Sequence, residues 1–230
     1  MRILVSGAAG NVGRTVTETL LADQHLVHAL TQPDHPEQVD TLRGLEADSN
    51  RLAITPLELT DRQAVSRFVG EQPEGFEAAV LLAGGFQMDR LTETSESALD
   101  FMLQLNFKTA FFLAQALLPG MIAQKKGRLT LIAAQPAVDA VGATGLTSYT
   151  LSKTLVVKLA ELLNAEGKPH GVVTTVIAPD MVDTMPNRQA MPGADFDKWI
   201  KPGEIAQLVR FACSQAVERV KDPVLRLYGA

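Results

Sequence analysis

Cysteine is nearly absent from this sequence. The 230 residues hold only Cys213, so no intrachain disulfide can form; this fits a reducing compartment, and a cytoplasmic protein is expected. Cys213 falls within an apolar helical run that begins at Ile205 and reads as a buried thiol used as a small hydrophobe, not as a nucleophile. An excess of basic charge is also missing, with 21 Lys and Arg against 26 Asp and Glu and a formal net charge of −5. Neutralising nucleic-acid phosphates requires a basic face, so nucleic acid is not an expected partner. The four histidines, His25, His28, His35 and His170, are scattered, with neither paired carboxylates nor a second cysteine at ligand spacing. No metal site is expected, and the four read as surface or strand-end residues. The opening MRILVSGAAG has one basic residue and too short an apolar run for a signal peptide or a span. No other stretch is expected to reach spanning length, so no membrane partner is expected. Internal repeats, low-complexity tracts and linkers are lacking as well.

What is present is an alternation. Short β-branched or aliphatic runs lie near 2–6, 26–31, 52–59, 78–83, 127–133, 171–178 and 224–228. Segments of helical period fall at about 11–23, 36–47, 61–71, 95–123, 149–166 and 203–219. Such alternation marks a mostly parallel sheet covered on both faces, and at 46% hydrophobic the chain can bury one substantial core. One domain over 1–230 is expected. Pro56 cannot donate to a ladder, so the third strand belongs at a sheet edge, as the doubly wound order 3-2-1-4-5-6 would place it. The stretch 180–203, with three Pro, three Met and Trp199, reads as a long loop, a lid or substrate loop.

The first strand runs directly into Ser6-Gly7-Ala8-Ala9-Gly10-Asn11-Val12-Gly13, and helical period follows. Gly7 allows a tight turn, Gly10 lets backbone approach a pyrophosphate, and Gly13 permits close packing of helix on strand. The N-H groups of the helix start, through Asn11 and Val12, face the phosphates. This predicts a Rossmann-type doubly wound α/β fold of about seven strands that binds a dinucleotide. After the second strand, where a carboxylate would bind the ribose of NAD, the chain reads Ala29-Leu30-Thr31-Gln32. The missing acidic clamp leans the expectation for NAD(P)H toward NADP(H), with Thr31 as a phosphate contact and Asp34 as a displaced clamp in the NAD case.

Tyr149 and Lys153 open a helical segment, and a spacing of four places them on one face. A neighbouring ammonium favours phenolate, so Lys153 is expected to tune Tyr149 as an acid.

In this order, the glycine loop, Leu82-Ala83-Gly84-Gly85, Asn106 and the Tyr149/Lys153 pair resemble the short-chain dehydrogenase/reductase family over almost the whole chain. Within it, the stretch from Asp183 to Trp199 and Ala83-Gly84-Gly85-Phe86 look like the quinonoid dihydropteridine reductase subgroup. The resemblance implies an NAD(P)H-dependent oxidoreductase. Tyr149 would then be the proton donor, Lys153 the holder of the nicotinamide ribose, and Asn106 the anchor of a proton-relaying water. Ala83, Gly84 and Gly85 would let backbone pass close to the cofactor, and Thr184 would bond its carboxamide after the turn at Pro179. The family usually has a serine after the fifth strand, where Leu131-Ile132-Ala133-Ala134-Gln135 has alanine. The pterin subgroup is similar in lacking it; Gln135, Thr144 and Thr147 are possible substitutes. Asn106, by contrast, matches ordinary members better than the pterin enzymes.

Phe86, Met185, Met191 and Trp199 are candidates for a flat apolar wall around a heteroaromatic substrate, with core packing as the rival reading. Asp89-Arg90 and Glu93 to Glu96 read as a solvated loop, with the lining of a cleft beside the fourth strand's end as the rival reading. The helices at 95–123 and 149–166 carry more apolar positions than one sheet face needs, so a homodimer or homotetramer through them is expected. A dinucleotide-binding redox sensor without turnover is the alternative from another class, motivated by the missing serine. A sugar-nucleotide epimerase shares the glycine spacing, but only about 50 residues follow Asp180.

Overall fold

The computed structural model describes residues 1–45, 50–140 and 142–229. Seven strands form one parallel sheet: β1 (Arg2–Ser6), β2 (Leu26–Thr31), β3 (Leu52–Pro56), β4 (Ala78–Leu81), β5 (Gly127–Ile132), β6 (Val172–Pro179) and β7 (Val224–Leu227). Their order is β3-β2-β1-β4-β5-β6-β7, so Pro56 ends an edge strand and the expected doubly wound order is extended by β7. Register runs from Val5 to Ala29 on one side of β1 and from Val5 to Val80 on the other.

The helices are α1 (Asn11–Ala22), α2 (Pro36–Arg43), α3 (Arg62–Gly70), α4 (Glu96–Met102), α5 (Thr109–Ala123), α6 (Gln135–Val138), α7 (Thr147–Gly167), α8 (Met185–Ala190) and α9 (Pro202–Cys213). The expected helix 36–47 stops at Arg43, and its last two positions lie outside the described residues. Near-continuous burial along β1, β4, β5 and β6 is what a sheet covered on both faces requires. The pleat sends Ile3 and Val5 to one face, among Val16, Leu20, Ile205 and Val209, and Leu4 to the other, among Leu113, Leu117, Leu129 and Val156.

Four sequence expectations change. The run expected as one helix over 95–123 is continuous from Glu96 to Ala123 but turns π-helical in its middle, Leu103–Lys108, between α4 and α5. By length and composition, Glu96–Ala123 does reach what a membrane crossing needs, yet Met102, Leu113, Leu117, Leu118 and Met121 along it are buried in this fold. The stretch 180–203 is not all loop, since α8 and a 3₁₀ turn, Phe196–Lys198, form inside it. His28 is neither a surface nor a strand-end residue: it is buried between Phe68 and Phe76, with ring centroids 5.0 and 5.8 Å away. Burial there pushes its imidazole down to about 4. Cys213 is buried as expected, and burial pushes its thiol up to about 12.

Candidate active site

At the carboxyl ends of the central strands the chain makes a glycine-lined turn. Gly7 has φ +65°, and a Cβ built on it would stand 2.8 Å from the amide nitrogen of Ala83. A Cβ on Gly13 would meet the Gly7 carbonyl oxygen at 2.0 Å, so only glycine lets α1 start this close to β1. Gly10 precedes α1 as its N-cap, with no side-chain bond there. The amide of Gly10 donates to Gly7, and Asn11 and Val12 form the first turn. The result is a backbone cradle that side chains would fill, open to the N-H groups of a helix start.

The cradle continues into the loop after β4. A Cβ on Gly84 would lie 2.5 Å from Oδ1 of Asn106 and 3.2 Å from Nζ of Lys153. Gly7, Ala83, Gly84, Asn106 and Lys153 are therefore one contiguous cluster. Asn106, 1% exposed within the π-helical segment, binds the loop twice: its Oδ1 accepts from the Gly85 amide at 2.9 Å, and its Nδ2 donates to the Gly85 carbonyl at 3.1 Å. Nδ2 also donates to Oγ of Ser152 at 3.0 Å, and Ser152 donates to the Tyr149 carbonyl at 2.7 Å. With Nδ2 committed to these partners, Asn106 acts here as a clamp between loop and helix. Ser152 is a residue that sequence reasoning missed, although it sits between the two flagged positions.

Tyr149 and Lys153 both lie in the opening turns of α7. Nζ of Lys153 donates to the Ile132 carbonyl at 3.0 Å, and the residue is 6% exposed. Burial pushes its ammonium down to about 8 and the Tyr149 phenol up to about 12. The lowering of Tyr149 expected from Lys153 does not emerge in this arrangement, where burial alone sets the direction of the shift. Even so, the phenol keeps its proton at neutral pH, as a proton donor must. The Phe86 ring meets Tyr149 edge-on, centroids 5.0 Å apart, while remaining 60% exposed.

The remaining expected residues are more dispersed. Thr31 ends β2, and its buried Oγ1 has no hydrogen-bond partner among the described residues. Pro179 closes β6. Thr184 caps α8 by accepting from the Asn187 amide at 3.4 Å. Ala134, where the family's serine would stand, is buried and precedes α6. The loop from β6 is tied down. Asp183 accepts from Arg188 at 2.5 and 2.8 Å and from Lys201 at 2.8 Å, Val182 bridges to Ile200, and Phe196 lies 4.8 Å from the Trp199 ring. Hydrogen bonds from Arg188 and Lys201 hold the Asp183 carboxyl well below the usual range. Asp89 is not part of a solvated loop: it bonds to the start of α7.

A profile of the short chain dehydrogenases matches residues 1–194. The uncharacterised oxidoreductase YmfI of Bacillus subtilis is 25% identical over 240 residues, covering 98% of this chain and 96% of its own. The uncharacterised oxidoreductase SSP0419 of Staphylococcus saprophyticus is 27% identical over 216 residues, 92% of this chain and 90% of its own. Among solved structures, ElxO with NADP bound superposes with a TM-score of 0.87 at 16% identity, over 98% of this chain and 96% of that one. An oxidoreductase of the short chain dehydrogenase/reductase family from Burkholderia thailandensis gives 0.83 at 23% identity, over 98% and 90%. With its glycine cradle running into the Tyr149 and Lys153 turn, the chain belongs to the short-chain dehydrogenase/reductase family of oxidoreductases.

Proposed function

We propose that the protein is an NADPH-dependent reductase of a conjugated carbonyl or imine, with Tyr149 as proton donor. The observation that carries this is the convergence of the glycine cradle, Asn106 and the Lys153 ammonium on Gly84, one helical turn from Tyr149. The residues present fit a dinucleotide. Gly7, Gly10 and Gly13, with the amides of Asn11 and Val12, would hold its pyrophosphate, and the unpartnered Thr31 hydroxyl would meet its adenosine end. Ala83, Gly84, Gly85 and Pro179 would border its nicotinamide half, with Thr184 turning from its cap to the carboxamide. When bound, that group supplies or accepts the hydride.

The chain's own residues manage the proton. Tyr149 holds it at its phenol oxygen until the substrate oxygen or nitrogen gains charge, and Lys153, still an ammonium at neutral pH, stabilises the phenolate left behind. Asn106 keeps Gly85 and the Tyr149 turn in register. Phe86 provides an apolar edge beside the phenol. The lack of a carboxylate directly at the end of β2, where Gln32 follows Thr31, and the NADP bound to ElxO support NADP(H) over NAD(H). Quinonoid dihydropterin is a fitting acceptor because its ring is conjugated through nitrogen and needs no serine hydroxyl at Ala134; the likeness of Asp183 to Trp199 supports it. Exposed Phe101, Leu151, Leu155 and Leu162 support a homodimer or homotetramer through the outer faces of 95–123 and 149–166. The lone, buried thiol supports a cytoplasmic location.

The test is the initial rate of NADPH and NADH oxidation with quinonoid dihydropterin, a quinone and a diketone in parallel. Tyr149→Phe is expected to lower turnover by about 10³-fold or more while NADPH still binds; a variant that keeps most of its rate removes Tyr149 as the acid. Ala134 favours a second reading, a dinucleotide-binding redox sensor. NADPH binding with no turnover on the whole panel would select it.

A further inference from the structure

The helix that carries Tyr149 and Lys153 has no cap of its own. Leu146, at its N-cap position, offers no side-chain acceptor, although the first N-H groups of a helix need partners. The partners come from the loop after β4. Oδ1 of Asp89 accepts from the Ser148 amide at 2.9 Å across a separation of 59 residues. The Asp89 carbonyl accepts from the Thr147 amide at 3.1 Å, and the Asp89 amide donates to the Gly145 carbonyl at 2.9 Å. Asp89 and Leu146 thereby form a parallel bridge. Ser148 is fully buried and is the immediate neighbour of Tyr149. Burial pushes the Asp89 carboxyl up, but hydrogen bonds with Ser148, Thr94 and Thr147 together outweigh it, so the group stays below its ordinary range and is ionised at neutral pH. A negative charge there also suits the positive end of α7.

The same loop bears Gly84, Gly85 and Phe86, which face Asn106, Lys153 and Tyr149. We infer that Asp89 is a positioning residue, capping α7 from the β4–α4 loop and locking the Tyr149 turn against the loop that borders the cofactor. This rests on Tyr149 being the proton donor. Two fastenings hold loop to helix: Asn106 at Gly85 and Asp89 at Ser148. Loss of the second lets the first turn of α7 fray while the cradle at Gly7 to Gly13 stays intact, and small displacements of a reacting group cost rate steeply.

Asp89→Ala and Asp89→Asn in the full chain test it, beside wild type and Tyr149→Phe. Amide hydrogen exchange over 145–153 is expected to quicken roughly tenfold at Ser148 and Tyr149 in Asp89→Ala, the effect of a lost cap. Asp89→Asn, which keeps an acceptor at the Oδ1 position, is expected to restore protection. With quinonoid dihydropterin or the quinone as acceptor, kcat should fall about tenfold or more in Asp89→Ala, with the KM for NADPH within about twofold. Unchanged exchange in Asp89→Ala, or an Asn variant as impaired as the Ala variant, overturns the inference. Tyr149→Phe separates the two failures. If it loses turnover while Asp89→Ala exchanges like wild type, the cap alone is wrong; if it keeps turnover, the assignment of the acid is wrong whatever Asp89 does.

Discussion

Gly13 has the least freedom to vary of any residue in the cradle. A methyl group there would fall 2.0 Å from the Gly7 oxygen and 2.9 Å from Ala8 Cα, both backbone atoms. Gly13→Ala must lift α1 from its turn, at about 2 kcal/mol of overpacking, and NADPH titration should show roughly tenfold weaker binding. Unaltered affinity would mean that the pyrophosphate lies elsewhere. Lys153 leads to a prediction about pH. Its pKa falls from 10.5 to about 8 on folding, so between those values the unfolded chain binds more protons and stability rises with pH. Below about pH 8 the cost of the buried charge is fully present. Lys153→Met should therefore be more stable than wild type at pH 7, by up to about 3 kcal/mol, with the gain shrinking toward pH 10. Urea unfolding of both proteins at the two pH values checks this; a gain that does not change with pH would show that the ammonium is not buried in solution. The Tyr149 and Lys153 spacing was legible because one helical turn is a local property. Their opposite shifts were not, since burial depends on β5 and the β4 loop arriving from elsewhere in the chain.

Among the elements, β1 and β2 were readable residue by residue because each aliphatic run stops at turn-forming residues, Gly7 after β1 and Gln32-Pro33 after β2, and Pro56 announced its edge position through its missing donor. The π-helical turn at Leu103–Lys108 left no such mark. A single extra residue in a turn does not disturb an apolar run that is hydrophobic all round, yet that turn is what seats Asn106 against Gly85 and Ser152. The stretch 180–203 misled in the other direction, because Pro and Met suggested open loop where Thr184 caps a short helix and Asp183 gathers two cations. These ion pairs hold Arg188 in place, so Asp183→Ala should speed trypsin cleavage after Arg188 severalfold at pH 7. Because the Asp183 carboxyl is depressed, wild-type bracing is fully present above the ordinary carboxylate pKa and weakens only as pH falls through the lowered value. Cleavage at equal rates in the two proteins would show that the loop is held by its apolar contacts instead.

At the scale of the whole molecule, the alternation of strand and helix sufficed for the layer order, since a right-handed crossover between parallel strands leaves few arrangements open. The proposed assembly rests on other ground, the apolar residues that the isolated fold leaves exposed on α4 and α7. Leu155→Glu combined with Leu162→Glu places two charges on the exposed side of α7, and sedimentation should show the variant as a monomer where wild type forms dimers or tetramers. A wild type that sediments as a monomer at micromolar concentration removes that part of the proposal.

The central place of β1 has a consequence for time. Ile3 finds one neighbour at Val27 but the other only at Ala78, 75 residues further along. A chain under synthesis must therefore hold its first strand half-paired, one ladder bare, through the making of two more strands and the helices between them. Contacts so distant in sequence close slowly, and a strand edge left waiting is an invitation to pairing with other chains. The bare ladder of β1, next to the glycine turn, is thus covered only when the fourth strand arrives.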